Sequence, residues 1–342
     1  MDHEQMVLAL EATGQYRVLR RFVPAESYQL DDEKIEVSRV RSVLVVDVET
    51  TGLKKDSDKI IDIGLVLAEF DRVSGQVLRV LERYSGFEDP GRPIPEEITR
   101  LTGIRDEDVL EQTFDDARVE ALIARADLVV AHNAPFDRGF LELRFPSFQK
   151  KWWACSQREA PWSQMMTGST KLEWLAFQIG GCFYEAHRAL VDAEVTLFIL
   201  AQMGPGGRPI LSHLLEVSGR KTYCVWAEGA PFEAKDKLKL EMGYSWSDGA
   251  SPDKPIKAWF KQGVVDLEAE LETLARTVYL RPAHLTIDSM TGYERFTDRY
   301  HSRDKRPLPG LHVEVPEHVA APAVEPSRTS TPSSVPTHGL PL

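Results

Sequence analysis

The sequence predicts an α/β fold: a mixed sheet flanked by helices, followed by a small C-terminal α+β domain and a disordered tail. Three observations carry that expectation. Strand-like segments crowd between residues 42 and 84, and helical and strand segments then alternate to residue 203, as in a sheet with helices packed on it. Gly204-Pro205-Gly206-Gly207 is the strongest break in the chain and marks a domain boundary. From Lys305 onward Pro, Ser and Thr dominate and large apolar residues are scarce, so burial cannot offset the entropy of ordering. The expected units are a helical prelude over 1–41, a main domain over 42–203, an accessory domain over 208–300 and the tail over 305–342.

In order, Met6, Val7 and Leu10 lie at helical spacing, and a second short helix is expected over 16–22 before Pro24, with Arg17, Arg20 and Arg21 on a solvated face. Valine-rich 42–48 reads as a buried strand, followed by strands over 59–70 and 76–84 in an antiparallel meander. Pro93, Pro95 and Gly103 bracket a helix over 96–102; a helix over 115–125 and a short buried strand over 127–131 follow. Helices are expected over 135–145, 170–179 and 189–203. Beyond the glycine break come a lysine-rich helix over 231–239, strands at 242–246 and 257–260, and an amphipathic helix over 266–279.

Composition narrows the function. With 342 residues, 42% of them hydrophobic and 27% charged, the chain has the make-up of a globular protein of two domains. No apolar run approaches the roughly 20 residues of a membrane span, and Met1-Asp2-His3-Glu4-Gln5 does not open a signal peptide. Cys155, Cys182 and Cys224 are few and far apart, which disfavours a disulfide framework or a zinc site and points to the cytoplasm. A net charge of −12 disfavours a protein that coats duplex nucleic acid by neutralising phosphates, but not an enzyme acting on an end.

The chemistry begins on the first strand. Asp47 and Glu49 are two residues apart, so on a strand both point to one side. Such a pair is costly in a buried place unless a cation neutralises it, and otherwise is an acidic strand end facing water. Asp137 falls near a helix start, in His132-Asn133-Ala134-Pro135-Phe136-Asp137, where it is either a first-turn residue favoured by the helix dipole or a ligand. His187 and Asp192 lie about 140° apart if on one helix. They converge only if His187 sits on the loop before a helix that holds Asp192; otherwise His187 is a surface histidine. Together, four carboxylates suit two hard divalent cations, which assist in-line phosphoryl displacement, and an imidazole nearby can take a proton near neutral pH.

Asp47-Val48-Glu49-Thr50-Thr51-Gly52, His132 to Asp137 and His187 with Asp192 resemble the three motifs of the DEDDh exonuclease family. That family belongs to the ribonuclease H-like superfamily and contains the epsilon proofreading subunit of bacterial DNA polymerase III. Ile60-Ile61-Asp62-Ile63-Gly64 resembles its second strand, 98–104 its thumb-like helical turn, and 169–175 the helix before its last motif. The resemblance covers about residues 42–203. It implies a ribonuclease H-like sheet and a 3′-5′ exonuclease that releases nucleoside monophosphates with two Mg²⁺ or Mn²⁺ ions. Asp47 would bridge both ions, Glu49 and Asp192 would hold the one that binds the nucleophilic water, Asp137 would support the second, and His187 would be the general base. Thr50 and Leu53 would touch the 3′-terminal nucleotide; Phe136 lines the same pocket or is core. Where many relatives carry an aspartate-threonine pair, this chain has Cys155-Ser156-Gln157.

The expected substrate is a single-stranded or frayed 3′ end, with DNA favoured in repair or proofreading, beside a DNA polymerase or repair complex and no membrane. The alternatives are an RNA-processing exoribonuclease, or a non-catalytic adaptor that binds nucleic-acid ends or a polymerase. In the accessory domain, Tyr244, Trp246, Trp259 and Phe260 interleaved with lysines are either a platform for a single strand or the core and solvated face of a small domain.

Overall fold

The computed structural model describes residues 2–28, 35–250, 254–279, 281–297 and 303–310. A two-residue strand, β1 (Arg20–Arg21), precedes the long central strand β2 (Val40–Thr50). β3 (Ile60–Asp71) and β4 (Val77–Phe87) extend β2 as the antiparallel meander anticipated above. The helices Glu96–Thr102 and Asp116–Arg125 lead to β5 (Leu128–Ala131), then the helix Ala134–Arg144 leads to β6 (Trp152–Cys155). β5 and β6 run parallel to β2, so the mixed sheet has the order β4-β3-β2-β5-β6.

Alternation along β2 divides the core. Val43 and Val45 join Val66, Ala68, Ala193, Val195 and Leu197 on the face covered by the helix Ala189–Ala201. Leu44, Val46 and Val48 point the other way, into a second cluster with Leu122, Ile123, Phe140 and Leu141 from the helices Asp116–Arg125 and Ala134–Arg144. A strand buried on both faces is apolar almost throughout, which is why 42–48 looks so uniform in sequence.

β7 (Cys182–Phe183) pairs with β1, and this corrects the expected helix over 16–22. Arg20 and Phe22 donate their backbone N–H groups to Gly181 and Phe183, and the Phe22 ring lies 5.4 Å from that of Phe198, so cross-chain pairing outweighs local helical spacing. The expected helix over 170–179 begins as Leu172–Leu175 and continues as one π-helical stretch, Ala176–Gly180. The break at Gly204 is real, yet the next helix, Ile210–Ser218, returns to the first core through Ile210, Leu211 and Leu214. The boundary at 208 is therefore moved beyond Ser218.

The second sheet holds β8 (Thr222–Ala227), β9 (Ser245–Asp248), β10 (Lys257–Val264), β11 (His284–Met290) and β12 (Arg303–Pro307), all antiparallel, in the order β12-β11-β8-β10-β9. The helix Leu267–Thr277, with Asp266 accepting from the Ala269 N–H, seals one face through Leu271 and Leu274. Tyr244 and Phe260 are buried, whereas Trp246 is half exposed, so the aromatics divide between core and surface. The lysine-rich helix expected over 231–239 is present but irregular: Phe232–Ala234 runs through residues 235–236 without a break into a π-helical stretch, Lys237–Glu241. β12 also corrects the start of the expected tail: Arg303–Pro307 pairs along β11, and Leu308 is buried. Residues 311–342 of that tail lie outside the described residues. Among the described residues no helix is long and apolar enough to cross a membrane.

Residues 291–297 fasten the two sheets. The Trp153 N–H donates to the Gly292 carbonyl at 2.9 Å, and Trp152 meets the Tyr293 ring edge-on at 5.0 Å. Fully buried Arg138 donates to the carbonyls of Gly292 (3.2 Å), Tyr293 (2.6 Å) and Arg295 (2.5 Å) and to Glu142 (2.7 Å). Removing one partner of a buried ion pair strands the other. Arg138→Met should therefore lower stability by about 3–5 kcal/mol. Denaturant unfolding tests this, and a loss near zero would show that the clamp is dispensable.

Candidate active site

β2 brings the first two carboxylates to the helix that carries the third. Asp47 and Glu49 continue the face of Val43 and Val45, which the helix Ala189–Ala201 covers. At the first turn of that helix Asp192 meets them: one carboxylate oxygen from each of Asp47, Glu49 and Asp192 lies within 4.8 Å of the others. The approach is close because Gly64 stands opposite Asp47 in the β2–β3 register. A Cβ there would fall 2.1 Å from the carbonyl carbon of Ala189, so any side chain would drive the helix off the sheet.

Asp192 is held by its own turn and by a neighbour. It accepts from the Arg188 N–H at 3.0 Å and from the Tyr184 hydroxyl at 3.0 Å. His187 lies on the loop before the helix, the only placement in which it and Asp192 converge. Its φ of +68° is uncommon for a residue with a side chain. Its ring is part exposed, with Nδ1 3.9 Å from Glu49 and Nε2 4.0 Å from Glu173.

Asp137 is buried in the first turn of the Ala134–Arg144 helix. The parallel ladder between β2 and β5 ends at Val46 and Ala131, and beyond it the Val48 N–H donates to Asp137 Oδ1 at 3.1 Å. Asp137 is thus tied to the carboxylate strand, but not within the tight group of three. Asn133 occupies the cap position of this helix without a side-chain capping bond.

Thr50 is buried and its hydroxyl donates to the Gly52 carbonyl at 2.5 Å. Leu53 is 84% exposed on the next loop, which Asp58 braces by accepting from the Lys54 N–H (2.8 Å) and from Arg92 (2.6 Å). Phe136 is half-buried with its ring 5.1 Å from that of Phe140, so it packs on the core.

Three contributors were not assigned a role from sequence. Tyr184 gives no local signal. Asp62, paired with Glu49 across β2 and β3, is buried and accepts from Arg188 Nε and the Ala189 N–H, both at 3.2 Å, which pins the loop that carries His187. His132 is buried with Nδ1 2.8 Å from the Ser156 hydroxyl and Nε2 2.7 Å from the Thr170 carbonyl. Burial lowers its pKa to about 4, so it is a neutral strut. Ser156, in the Cys155-Ser156-Gln157 stretch, is its partner.

Electrostatics match the crowding. Burial, reinforced by neighbouring carboxylates, pushes Glu49 up to about 8 and holds Asp47 well above its ordinary range. Burial likewise raises Asp137 to about 7. Asp192 rises only to about 6, since Tyr184 and Arg188 donate to it. An all-oxygen donor set whose members resist ionisation side by side fits a hard divalent cation.

Comparison with known proteins adds the family. A family model described as Exonuclease matches residues 44–200. The DNA polymerase III subunit epsilon of Treponema pallidum is 31% identical over 169 residues, covering 46% of this chain and 74% of that protein. The PolC-type DNA polymerase III of Clostridium perfringens is 32% identical over 162 residues, covering 46% of this chain but 11% of that protein. The chain thus spans about a tenth of the length of the PolC-type relatives it matches. A solved structure of exonuclease X with 5′-overhanging duplex DNA aligns with 46% of this chain and 89% of that one, at 24% identity and a TM-score of 0.35.

The raised carboxyl pKa values set the direction of a pH effect. The folded protein keeps protons on these groups that the unfolded chain releases near pH 4, so their contribution to stability is full below that value and is lost as pH rises toward about 8. In chelator the thermal midpoint should fall across that window, and saturating Mg²⁺ should flatten the fall. A midpoint independent of pH in chelator would contradict the crowding.

Proposed function

This chain belongs to the exonuclease family, and on that premise we propose that it is a 3′-5′ exonuclease that removes nucleoside monophosphates from the 3′ end of a nucleic-acid strand. The observation that carries the proposal is the convergence of Asp47, Glu49 and Asp192, from a strand and a helix far apart in sequence, beside a loop histidine. DNA is the favoured substrate, because relatives over this segment are DNA polymerase III components. The same relatives support a role in repair or proofreading, in the cytoplasm and beside a polymerase or repair complex.

The roles divide by position. The backbone of Thr50 and the exposed side chain of Leu53 seat the terminal nucleotide, Leu53 packing against the base and Phe136 lining the same pocket. The braced loop between Thr51 and Asp58 presents that seat already formed, so little ordering is left for the moment of binding. Asp47, Glu49 and Asp192, with Asp137 behind, would hold two divalent cations, Mg²⁺ or Mn²⁺. When bound, these supply charge neutralisation at the phosphoryl oxygens and acidify a bound water. His187, on the rim and part exposed, takes the proton of the attacking water and passes it to solvent. Tyr184 and the Arg188 N–H keep Asp192 turned toward Asp47 and Glu49.

The decisive assay is release of nucleoside monophosphates from a 3′-single-stranded oligonucleotide in Mg²⁺ or Mn²⁺ and in chelator. No shortening of DNA or RNA in either metal would end the proposal. His187→Ala should lower kcat by about 10²–10⁴-fold. The same variant should keep the stabilisation by Mg²⁺ seen in thermal unfolding, whereas Asp192→Asn should lose it. Loss of Mg²⁺ stabilisation in His187→Ala would remove the histidine from the base role and make it a ligand.

A further inference from the structure

A cavity of about 500 Å³ lies between the two sheets, within the size range of binding sites. Its walls carry Arg158, Arg220, Lys254 and Arg295 against one carboxylate, Glu159. In a chain of net charge −12 this is a local reversal of sign. Glu159 is already committed to Arg295, 2.5 Å away, so it does not neutralise Arg158. Arg220 does pair with Glu216, outside the cavity lining.

The wall is rigidly built. Arg295 is buried, its Nη atoms bonded to Glu159 and to the carbonyls of Val217, Ser218 and Arg220, yet its Nε is buried without an acceptor. That Nε is closed off from the cavity, so Arg295 is a structural member of the wall, and ligand contacts fall to the exposed arginines beside it. Next to it, Phe296 has a φ of +66°, a conformation a bulky side chain rarely adopts. That backbone is held between the bonded Arg295 and Thr297, which donates to Glu142 at 3.2 Å. It keeps a half-buried aromatic ring in the cavity wall. Cations around an aromatic ring are the means by which proteins hold a single strand, through phosphate contact and base stacking.

The cavity also adjoins the site already described. Pro135, at the start of the helix that carries Phe136 and Asp137, forms part of its wall, and Phe296 packs on the same core as Phe136.

We propose that the cavity between the two sheets binds the phosphodiester backbone of a single strand upstream of its 3′-terminal nucleotide, with Arg158 and Arg220 contacting phosphates and Phe296 stacking on a base. This rests on the exonuclease proposal for the identity of the strand, but not for its binding. The second sheet is then part of the substrate path, and selectivity for single strands arises at the junction, where a base must be unpaired to stack.

The test separates the two proposals. The full chain is titrated with a fluorescent single-stranded DNA oligonucleotide in chelator, where nothing is cleaved, and its hydrolysis is compared with that of the 4-nitrophenyl ester of thymidine 5′-monophosphate, which has no upstream nucleotide. Arg158→Glu with Arg220→Glu should raise the Kd for the oligonucleotide about tenfold or more, and lower the slope of log Kd against log salt by about 1.4 for two lost phosphates. The ratio of kcat/KM on the oligonucleotide to that on the ester should fall by a similar factor. Phe296→Leu, which keeps the apolar packing, should weaken binding at least about fivefold. If the charge-reversed protein fails to fold, Arg158→Gln with Arg220→Gln should show the same salt effect. Unchanged Kd and salt slope, or an equal loss on both substrates, would overturn this proposal. Binding by the wild-type chain with no hydrolysis of either substrate would overturn the exonuclease proposal and leave this one standing.

Discussion

Three carboxylates share one dry corner, and the rest of the main domain is built to tolerate their repulsion. Coulomb repulsion between neighbours a few ångströms apart grows as water is excluded. The fold answers by bracing what surrounds Asp47 and Glu49: Asp192 is held by Tyr184 and its own turn, Asp137, outside the three, by the Val48 N–H, and the loop that carries His187 by Asp62 through Arg188 and Ala189. Gly64 lets the helix come near enough for these bonds to form. Remove the crowding and none of these features has a reason.

Much of this was legible in the sequence. Period-two alternation places Asp47 and Glu49 on one face without any knowledge of the partner strand. The turn geometry of His187 and Asp192 requires a loop-to-helix switch between them, and the structure has one. Proline and glycine brackets locate the helix Glu96–Thr102 because local chain stiffness decides its ends. What local pattern could not supply were partners distant in the chain. Residues 16–22 have helical spacing but pair with β7, and 303–307 are polar enough to look unstructured but complete a sheet along β11. Tyr184 and Asp62 acquire their meaning only from what the fold lays beside them. The same holds for Ile210, Leu211 and Leu214, whose apolar faces serve the core before the glycine break rather than the unit after it.

Charge is distributed as unevenly as shape. Carboxylates gather at the end of β2, and arginines cluster at the junction of the sheets. Arg138 and Arg295 stand there for structural reasons, each saturating backbone carbonyls that a turn would otherwise leave bare. Guanidinium groups suit this task because their planar fork presents several donors at fixed angles.

The bond from the Trp153 N–H to the Gly292 carbonyl has a consequence for where the working protein can be cut. β6 is the outermost strand of the first sheet, and an uncovered outer strand is a template for pairing with another molecule. A fragment ending at the Gly204–Gly207 turn would hold every acidic residue and the histidine of the site. It would also bare the edge of β6, the Trp152 ring and the apolar seat of Ile210, Leu211 and Leu214. The smallest piece with all the chemistry is therefore not the smallest piece that keeps β6 covered, and self-association through β6 is the hazard that separates them.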